Sequence, residues 1–181
     1  MTVITRQTRE TTIRVELVRD EAVTRVDTAT PFLDHMLVTL ARYAGLGLVV
    51  DARGDLTHHL IEDVAIAVGT SLSEFAPKTA ARYADRTVPM DDALVQCALD
   101  IGGRAYYEGP LPSSLYDHWM RSFALNAAAT LHLRVLRGRD RHHVVEAAFK
   151  ALGLCIRDAL VETAGGSVFS TKGGVSVAKH G

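Results

Sequence analysis

The amino-acid sequence predicts an α/β protein of the two-layer α+β kind, built from two tandem ββαβα half-domains in which helices cover a sheet. Three observations support this fold class. Apolar residues alternate in some segments and recur at helical spacing in others, a rare histidine motif occurs twice, and further short motifs repeat at the same offset. The 181 residues are enough for one domain or for two small halves.

The strand and helix patterns follow the same order in both halves. In the first half, Ile13, Val15 and Leu17 alternate on one face of a strand, and a turn at Asp20-Glu21 leads into a second strand, which predicts a hairpin. The predicted strands and helices of the first half lie at 11–18, 23–27, 32–44, 46–50 and 58–75. Those of the second half lie at 93–101, 104–107, 116–129, 130–136 and 142–161.

A histidine motif supports the repeat. Two pairs among the eight histidines are each followed by a glutamate at the same distance, giving HHLIE at 58–62 and HHVVE at 142–146. FLDHM also matches LYDHWM, which pairs His35 with His118. Because the offset is 83 or 84 residues in each case, the motifs belong to one duplicated unit.

The duplication divides the chain into two half-domains. We expect the first to span 1–88, with HHLIE, and the second to span 89–181, with HHVVE and a C-terminal STKGG loop. The segments 77–90 and 163–181 are polar and rich in turn-forming residues, so they are expected to be connections.

Composition excludes several classes of protein. With 48% hydrophobic and 23% charged residues, the chain can bury a sizeable core. The net charge of −1 offers no excess of positive charge for nucleic acid or an anionic membrane, and neither is expected as a partner. No apolar run approaches the ~18 residues of a membrane span, and the polar segment 1–10 does not resemble a signal peptide, so we expect a cytoplasmic protein. Cys97 and Cys155 lie in apolar stretches, which favours buried free thiols.

The paired histidines are candidate metal ligands. On a helix, each glutamate lies beside both histidines of its motif, but adjacent rings point about 100° apart, so one pair is poorly arranged to chelate a single ion. The second ring can serve a different site, especially where subunits meet. His35 and His132 are candidates to complete the ligand sets, and imidazole with carboxylate favours manganese, iron or zinc. Alternatively, such pairs are surface residues at helix N-termini or core groups bonded to the glutamates; duplication disfavours this alternative.

Taken together, the motifs make the sequence similar to the imidazoleglycerol-phosphate dehydratase family of histidine biosynthesis. Both HHxxE motifs occur with RxTxE, FLDHM, PMDDAL, LDIGGR, LHL, EAAFK and STKGG, in the family's order and over nearly the whole chain. The resemblance implies a hydro-lyase that converts imidazole glycerol phosphate to imidazole acetol phosphate. It also implies the duplicated two-layer fold and a homo-oligomer of two dozen subunits built from trimers.

The resemblance also implies roles for individual residues. It implies two manganese ions per subunit, shared between subunits, with other divalent ions possible. The implied metal ligands are His35, His58, His59, Glu62, His132, His142, His143 and Glu146. The implied acid–base residues are Glu10 and Glu146. The implied substrate-binding residues, which include the cations expected to hold the phosphate, are Glu10, Arg82, Asp91, Arg104, Lys150, Ser170 and Lys172.

The sequence departs from the family before the first histidine pair. Thr57 stands where the family has an aspartate, and the preceding segment is shorter. Because carboxylates orient metal-bound imidazoles, the first metal site is expected to be tuned differently or to be weaker. His118 is expected to be an exposed helix residue and not a ligand.

Two other functions remain open. A metal-dependent hydrolase of a phosphorylated small molecule would use the same ligands to activate water. A non-catalytic, metal-linked scaffold would keep the ligands without catalysing a reaction. The product formed from imidazole glycerol phosphate distinguishes both from a dehydratase.

Overall fold

The computed structural model of this chain describes residues 1–163, in which eight strands and four helices follow one another. The elements of the first half are β1 (Thr2–Gln7), β2 (Thr11–Val18), β3 (Arg25–Asp27), α1 (Pro31–Ala44), β4 (Gly47–Gly54) and α2 (Thr57–Phe75). Those of the second half are β5 (Tyr83–Met90), β6 (Ala93–Asp100), β7 (Tyr106–Glu108), α3 (Ser114–Asn126), β8 (Thr130–Arg137) and α4 (Arg141–Ala159).

The two halves form equivalent four-stranded sheets. Their strand orders are β1-β2-β4-β3 and β5-β6-β8-β7, with the short third strand of each half parallel to its neighbour and the other pairs antiparallel. Each half contacts its own sheet through its helices, while α1 packs on α4 and α2 packs on α3. The helices therefore lie between the two sheets. The α+β fold class and its duplication are confirmed.

Each half contains one strand more than the sequence predicted. β1 and β5 are edge strands in segments that were expected to be polar or a connection, and β5 crosses the expected half-domain boundary at residue 88. Val88 is the one buried hydrophobic side chain of β5, and β1 has none. An edge strand with so few buried side chains lacks the apolar alternation on which the prediction depended. Each half is thus βββαβα.

The predicted hairpin in the first half is wrong. β2 pairs with β1 and, over its full length, with β4, whereas β3 pairs in parallel with β4 at the far edge of the sheet. β3, α1 and β4 instead form a strand–helix–strand crossover, which parallel neighbours require. The same correction applies to β6 and β7 in the second half.

The ends of α1 follow from local sequence. Pro31 occupies the first turn, where its missing N–H costs nothing, and Gly45 ends the helix in the left-handed conformation with φ of 65°. None of the four helices within residues 1–163 has the combination of length and apolar character that crossing a bilayer requires. Cys97 and Cys155 are buried free thiols, as predicted.

Two glycines at equivalent positions allow the helix pairs to approach closely. A Cβ atom on Gly69 of α2 would lie 2.5 Å from the carbonyl oxygen of Phe123 in α3. A Cβ atom on Gly153 of α4 would lie 2.8 Å from the carbonyl oxygen of Leu40 in α1. Gly69 and Gly153 are 84 residues apart, the same offset as the histidine motifs. Both helix contacts that carry site histidines therefore depend on the absence of a side chain.

Replacing Gly69 by alanine should destabilise the protein, because the new methyl group would meet backbone atoms that cannot move independently of α3. We expect the free energy of unfolding to fall by about 1–3 kcal/mol in urea denaturation of the metal-free protein. Ser73→Ala, at an exposed position of the same helix, is the control and should change stability by less than about 0.5 kcal/mol. Equal stability of the two variants would contradict a tight contact at Gly69.

Candidate metal centres

The first group of site residues joins α1 to α4. We call His35, His142 and Glu146 the first cradle. The Nε2 atoms of His35 and His142 lie 3.4 and 3.2 Å from Oε2 of Glu146, and the two rings stack with centroids 6.2 Å apart. One donor atom from each residue lies within 4.8 Å of the others. Both imidazoles are half exposed above a buried carboxylate, so the three donors converge on a point that is open to solvent.

Lys150 fixes the carboxylate of the first cradle. Its Nζ lies 2.9 Å from Oε1 of Glu146 and 2.8 Å from Sδ of Met90. Burial alone would raise the pKa of Glu146, but hydrogen bonds from Lys150 and His35 oppose it and leave that pKa lowered. Glu146 is therefore ionised, with one oxygen held by the ammonium group and the other facing the imidazoles.

The second group joins α2 to α3. We call His58, Glu62 and His118 the second cradle. The Nε2 atoms of His58 and His118 lie 3.7 and 3.3 Å from Oε2 of Glu62, and the two rings stack with centroids 5.0 Å apart. Their donor atoms also lie within 4.8 Å of one another. The expectation that His118 is an exposed helix residue is wrong: it is half-buried, because its ring packs against His58.

An aspartate before the first histidine of each cradle anchors the start of its helix. Oδ1 of Asp34 accepts hydrogen bonds from the backbone N–H and the hydroxyl of Thr28, at 2.8 and 2.5 Å. Oδ1 of Asp117 accepts from the backbone N–H of Leu111 and the hydroxyl of Tyr107, at 2.8 and 2.5 Å. These bonds tie α1 and α3 to the loops that precede them. The helices therefore present His35 and His118 in fixed positions.

The second histidine of each pair is held from Nδ1 by a carboxylate. His59 donates to Oδ1 of Asp55 at 2.9 Å, and His143 donates to Oδ1 of Asp92 at 2.7 Å. The hydrogen bond from His143 lowers the pKa of Asp92 to about 2, and the same pairing raises the pKa of His143. The hydrogen bond to Asp55 likewise raises the pKa of His59.

These bonds decide which ring nitrogen is available. A neutral imidazole that donates from Nδ1 keeps its lone pair on Nε2, which is the usual arrangement of a metal-ligating histidine. His59 and His143 belong to neither cradle. Within each pair, the first ring thus faces a cradle and the second is oriented separately. Asp55 supplies a carboxylate near the position where Thr57 replaced the expected aspartate.

Glu10 lies beside His59. Oε2 of Glu10 is 3.5 Å from Nδ1 of His59, and the turn that carries Glu10 accepts a backbone hydrogen bond from Asp55 at 3.0 Å. Buried Asp63 on α2 accepts hydrogen bonds from Arg6 Nε at 2.9 Å and from the hydroxyl of Thr11. The β1–β2 turn is therefore bound to α2, and half-exposed Glu10 is held next to His59.

The other predicted site residues do not all meet at the cradles. His132 is exposed on the face of β8 opposite buried Leu131 and Leu133, and it lies in none of the donor groups found in the described residues. Arg82 bonds Asp100 at 3.0–3.1 Å, and Arg104 is exposed.

Asp91 lies at the β5–β6 turn, 3.4 Å from Nε2 of His143. Ser170 and Lys172 lie outside the described residues.

Sequence reasoning missed the carboxylates that position the imidazoles. Asp55 stands four residues before His59, which is the spacing that brings two side chains to one helix face. Asp34 and Asp117 are equivalent positions of the repeat, directly before His35 and His118. Comparison of the two halves could have identified the latter pair. Asp92 and Asp63 reach their partners across the fold, and no local spacing marks them.

Three comparisons place the chain among known proteins. The sequence profile of imidazoleglycerol-phosphate dehydratase matches residues 28–156. The imidazoleglycerol-phosphate dehydratase of Pyrobaculum calidifontis is 48% identical over 93% of this chain and 96% of its own length, and that of Pyrobaculum aerophilum is 46% identical over the same shares.

Solved structures agree with this result. The crystal structure of the enzyme from Pyrococcus furiosus in complex with (S)-C348 matches with a TM-score of 0.86 and 37% identity, covering 95% of this chain and all of that one. The crystal structure of the Staphylococcus aureus enzyme matches with a TM-score of 0.78 and 29% identity, covering 90% of this chain and 100% of that chain.

Replacing Asp55 by alanine should weaken metal binding without unfolding the protein, because it removes the carboxylate that orients His59. Loss of such a partner typically lowers metal affinity by about 10–100-fold. Titration with Mn²⁺, followed through the electron paramagnetic resonance of the free ion, measures the change. Asp51→Ala removes another exposed carboxylate, on β4, and should leave the affinity unchanged. If the two variants bound Mn²⁺ equally well, Asp55 would have no orienting role.

Proposed function

Because the chain belongs to the imidazoleglycerol-phosphate dehydratase family, it is a hydro-lyase of histidine biosynthesis, and we propose that it works at metal centres shared between neighbouring copies of itself. The observation that carries this proposal is the pair of cradles, each with two imidazoles and one carboxylate, together with separately oriented histidines that no cradle of the same chain uses.

The donor chemistry fits a divalent ion. Each cradle offers imidazole nitrogen and carboxylate oxygen without thiolate, a set that suits manganese and other borderline ions. His35, His142 and Glu146 would hold one ion, and His58 with Glu62 would hold another. His59, His132 and His143 would then reach the centres of neighbouring subunits. We propose two manganese ions per subunit on this basis.

A bound ion would supply Lewis acidity to the imidazole ring of the substrate, which has no carbonyl group beside the carbon that loses a proton. The protein must then move protons. Glu10 is our candidate acid–base residue, because it is held beside His59 by the bonds to Asp63 and Asp55 yet remains half exposed. Glu146 can contribute a second carboxylate, although Lys150 already occupies one of its oxygens.

Fixed positive charge would hold the substrate phosphate. Arg104 is exposed and can donate two parallel hydrogen bonds from its planar guanidinium group. Arg82 and Lys150 already bond Asp100 and Glu146, so anion binding by either would share those donors. We assign Ser170 and Lys172 to the same phosphate and Asp91, beside His143, to the substrate.

Assembly follows from the shared centres. We propose a homo-oligomer of two dozen subunits built from trimers, because ligands from different chains would join subunits at every centre. We also propose that the enzyme acts in the cytoplasm, where the free thiols of Cys97 and Cys155 would stay reduced.

The activity is tested by incubating the manganese-loaded protein with imidazole glycerol phosphate. We expect an enolisable ketone to form without release of phosphate, and Glu10→Gln to lower kcat by at least about a hundredfold, since it removes the proton-transfer group. Glu16→Gln, on the neighbouring strand β2, is the control and should keep full activity. Phosphate release would instead support a hydrolase, and no reaction of the loaded protein would support a scaffold.

Removal of metal should break up the assembly. Treatment with a chelator should shift the protein to smaller species in size-exclusion chromatography, because metal-bridged interfaces lose their central ion. Addition of Mn²⁺ after removal of the chelator should restore the original elution volume. An elution volume that does not respond to the chelator would contradict centres shared between subunits.

A further inference from the structure

We propose that His118 is a metal ligand, which makes the second cradle a three-residue site equivalent to the first. The proposal rests on the metal centres proposed above and adds a ligand that the histidine motifs do not contain. Three independent features of the structure carry it: the repeat, the geometry of the cradle and its charge.

The repeat places His118 where the first half has His35. The two residues are 83 positions apart, and the other members of the cradles, His58 and His142, are 84 apart. The helix contacts are also equivalent, since α3 packs on α2 as α1 packs on α4. Asp117 anchors α3 as Asp34 anchors α1. His118 is therefore presented to Glu62 by the same architecture that presents His35 to Glu146.

The geometry of His118 matches that of a ligand. Its Nε2 lies 3.3 Å from Oε2 of Glu62, against 3.4 Å for the equivalent pair of the first cradle. Its ring is inclined by 28° to the ring of His58, against 26° for His35 and His142. Within residues 1–163, however, the buried Nε2 atom of His118 has no hydrogen-bond partner. A buried nitrogen beside two other donors, without a hydrogen bond of its own, is suited to an ion that all three share.

Charge distinguishes the cradles. Lys150 neutralises Glu146 in the first, but the equivalent position in the second is Ile66. In the described part of the chain, the groups paired with Glu62 are His58 and His118 alone. The second cradle therefore carries one more negative charge when its imidazoles are neutral, and a cation has more to gain there. A third donor from His118 completes a site whose carboxylate has no other countercharge.

Binding of Mn²⁺ to the assembled protein tests this proposal. His118→Gln keeps a side chain of similar length but removes the imidazole lone pair, so one class of sites should lose at least about tenfold in affinity. His35→Gln should weaken the other class by a similar factor. Leu125→Gln introduces the same residue at an exposed position of α3 and should bind Mn²⁺ as the unmodified protein does. Thermal unfolding of the metal-free variants checks that their folds are intact.

Crystals of the unmodified protein soaked in Mn²⁺ give a second measurement that does not depend on a variant. We expect an anomalous peak within bonding distance of Nε2 of His118, beside His58 and Glu62. A peak that contacts His58 and Glu62 but lies beyond bonding distance of His118 would overturn the proposal, as would unchanged affinity of His118→Gln. If the unmodified protein bound no Mn²⁺ at all, the proposed metal centres themselves would fail.

Discussion

The pairing of a carboxylate with an imidazole is the interaction on which the rest of this structure depends. Glu146 and Glu62 face the rings that form the cradles, while Asp55 and Asp92 hold the rings that diverge from them. An isolated histidine on a helix can rotate and can carry its proton on either nitrogen. A carboxylate on one side removes both freedoms and leaves the opposite nitrogen ready for a ligand. The helices and sheets serve to place these pairs in space.

Duplication explains why the pairs occur in matched positions, and the exceptions show where the halves have diverged. The cradles, the anchoring aspartates and the glycines at the helix crossings are all preserved at an offset of 83 or 84 residues. Lys150 and Ile66 break the match, so the two carboxylates differ in charge compensation. Such a difference in charge between otherwise equivalent donor sets gives two sites of unequal affinity for the same cation. The centres need not therefore fill or act together.

The sequence predicted the parts of this protein that repeat or are periodic. The alternation at Ile13 to Leu17 and the paired histidines identified the duplicated α+β fold, because burial on one face leaves a regular pattern. β1 and β5 were missed since edge strands bury few side chains, and the hairpin was wrong since strand pairing across a crossover leaves no local mark. His118 was judged exposed because its ring is covered by His58, a contact between helices.

The adjacency of the histidines has a consequence for assembly. Two neighbouring rings on one helix diverge by about 100°, so they cannot both bind one ion. In this chain, the first ring of each pair belongs to a cradle, and the second is held away from it by Asp55 or Asp92. A ring that is oriented but has no site on its own chain must find one on another copy. The HHxxE motif thus couples binding of the metal to association of the subunits, and under the proposed mechanism the site that dehydrates the substrate exists only in the assembled protein.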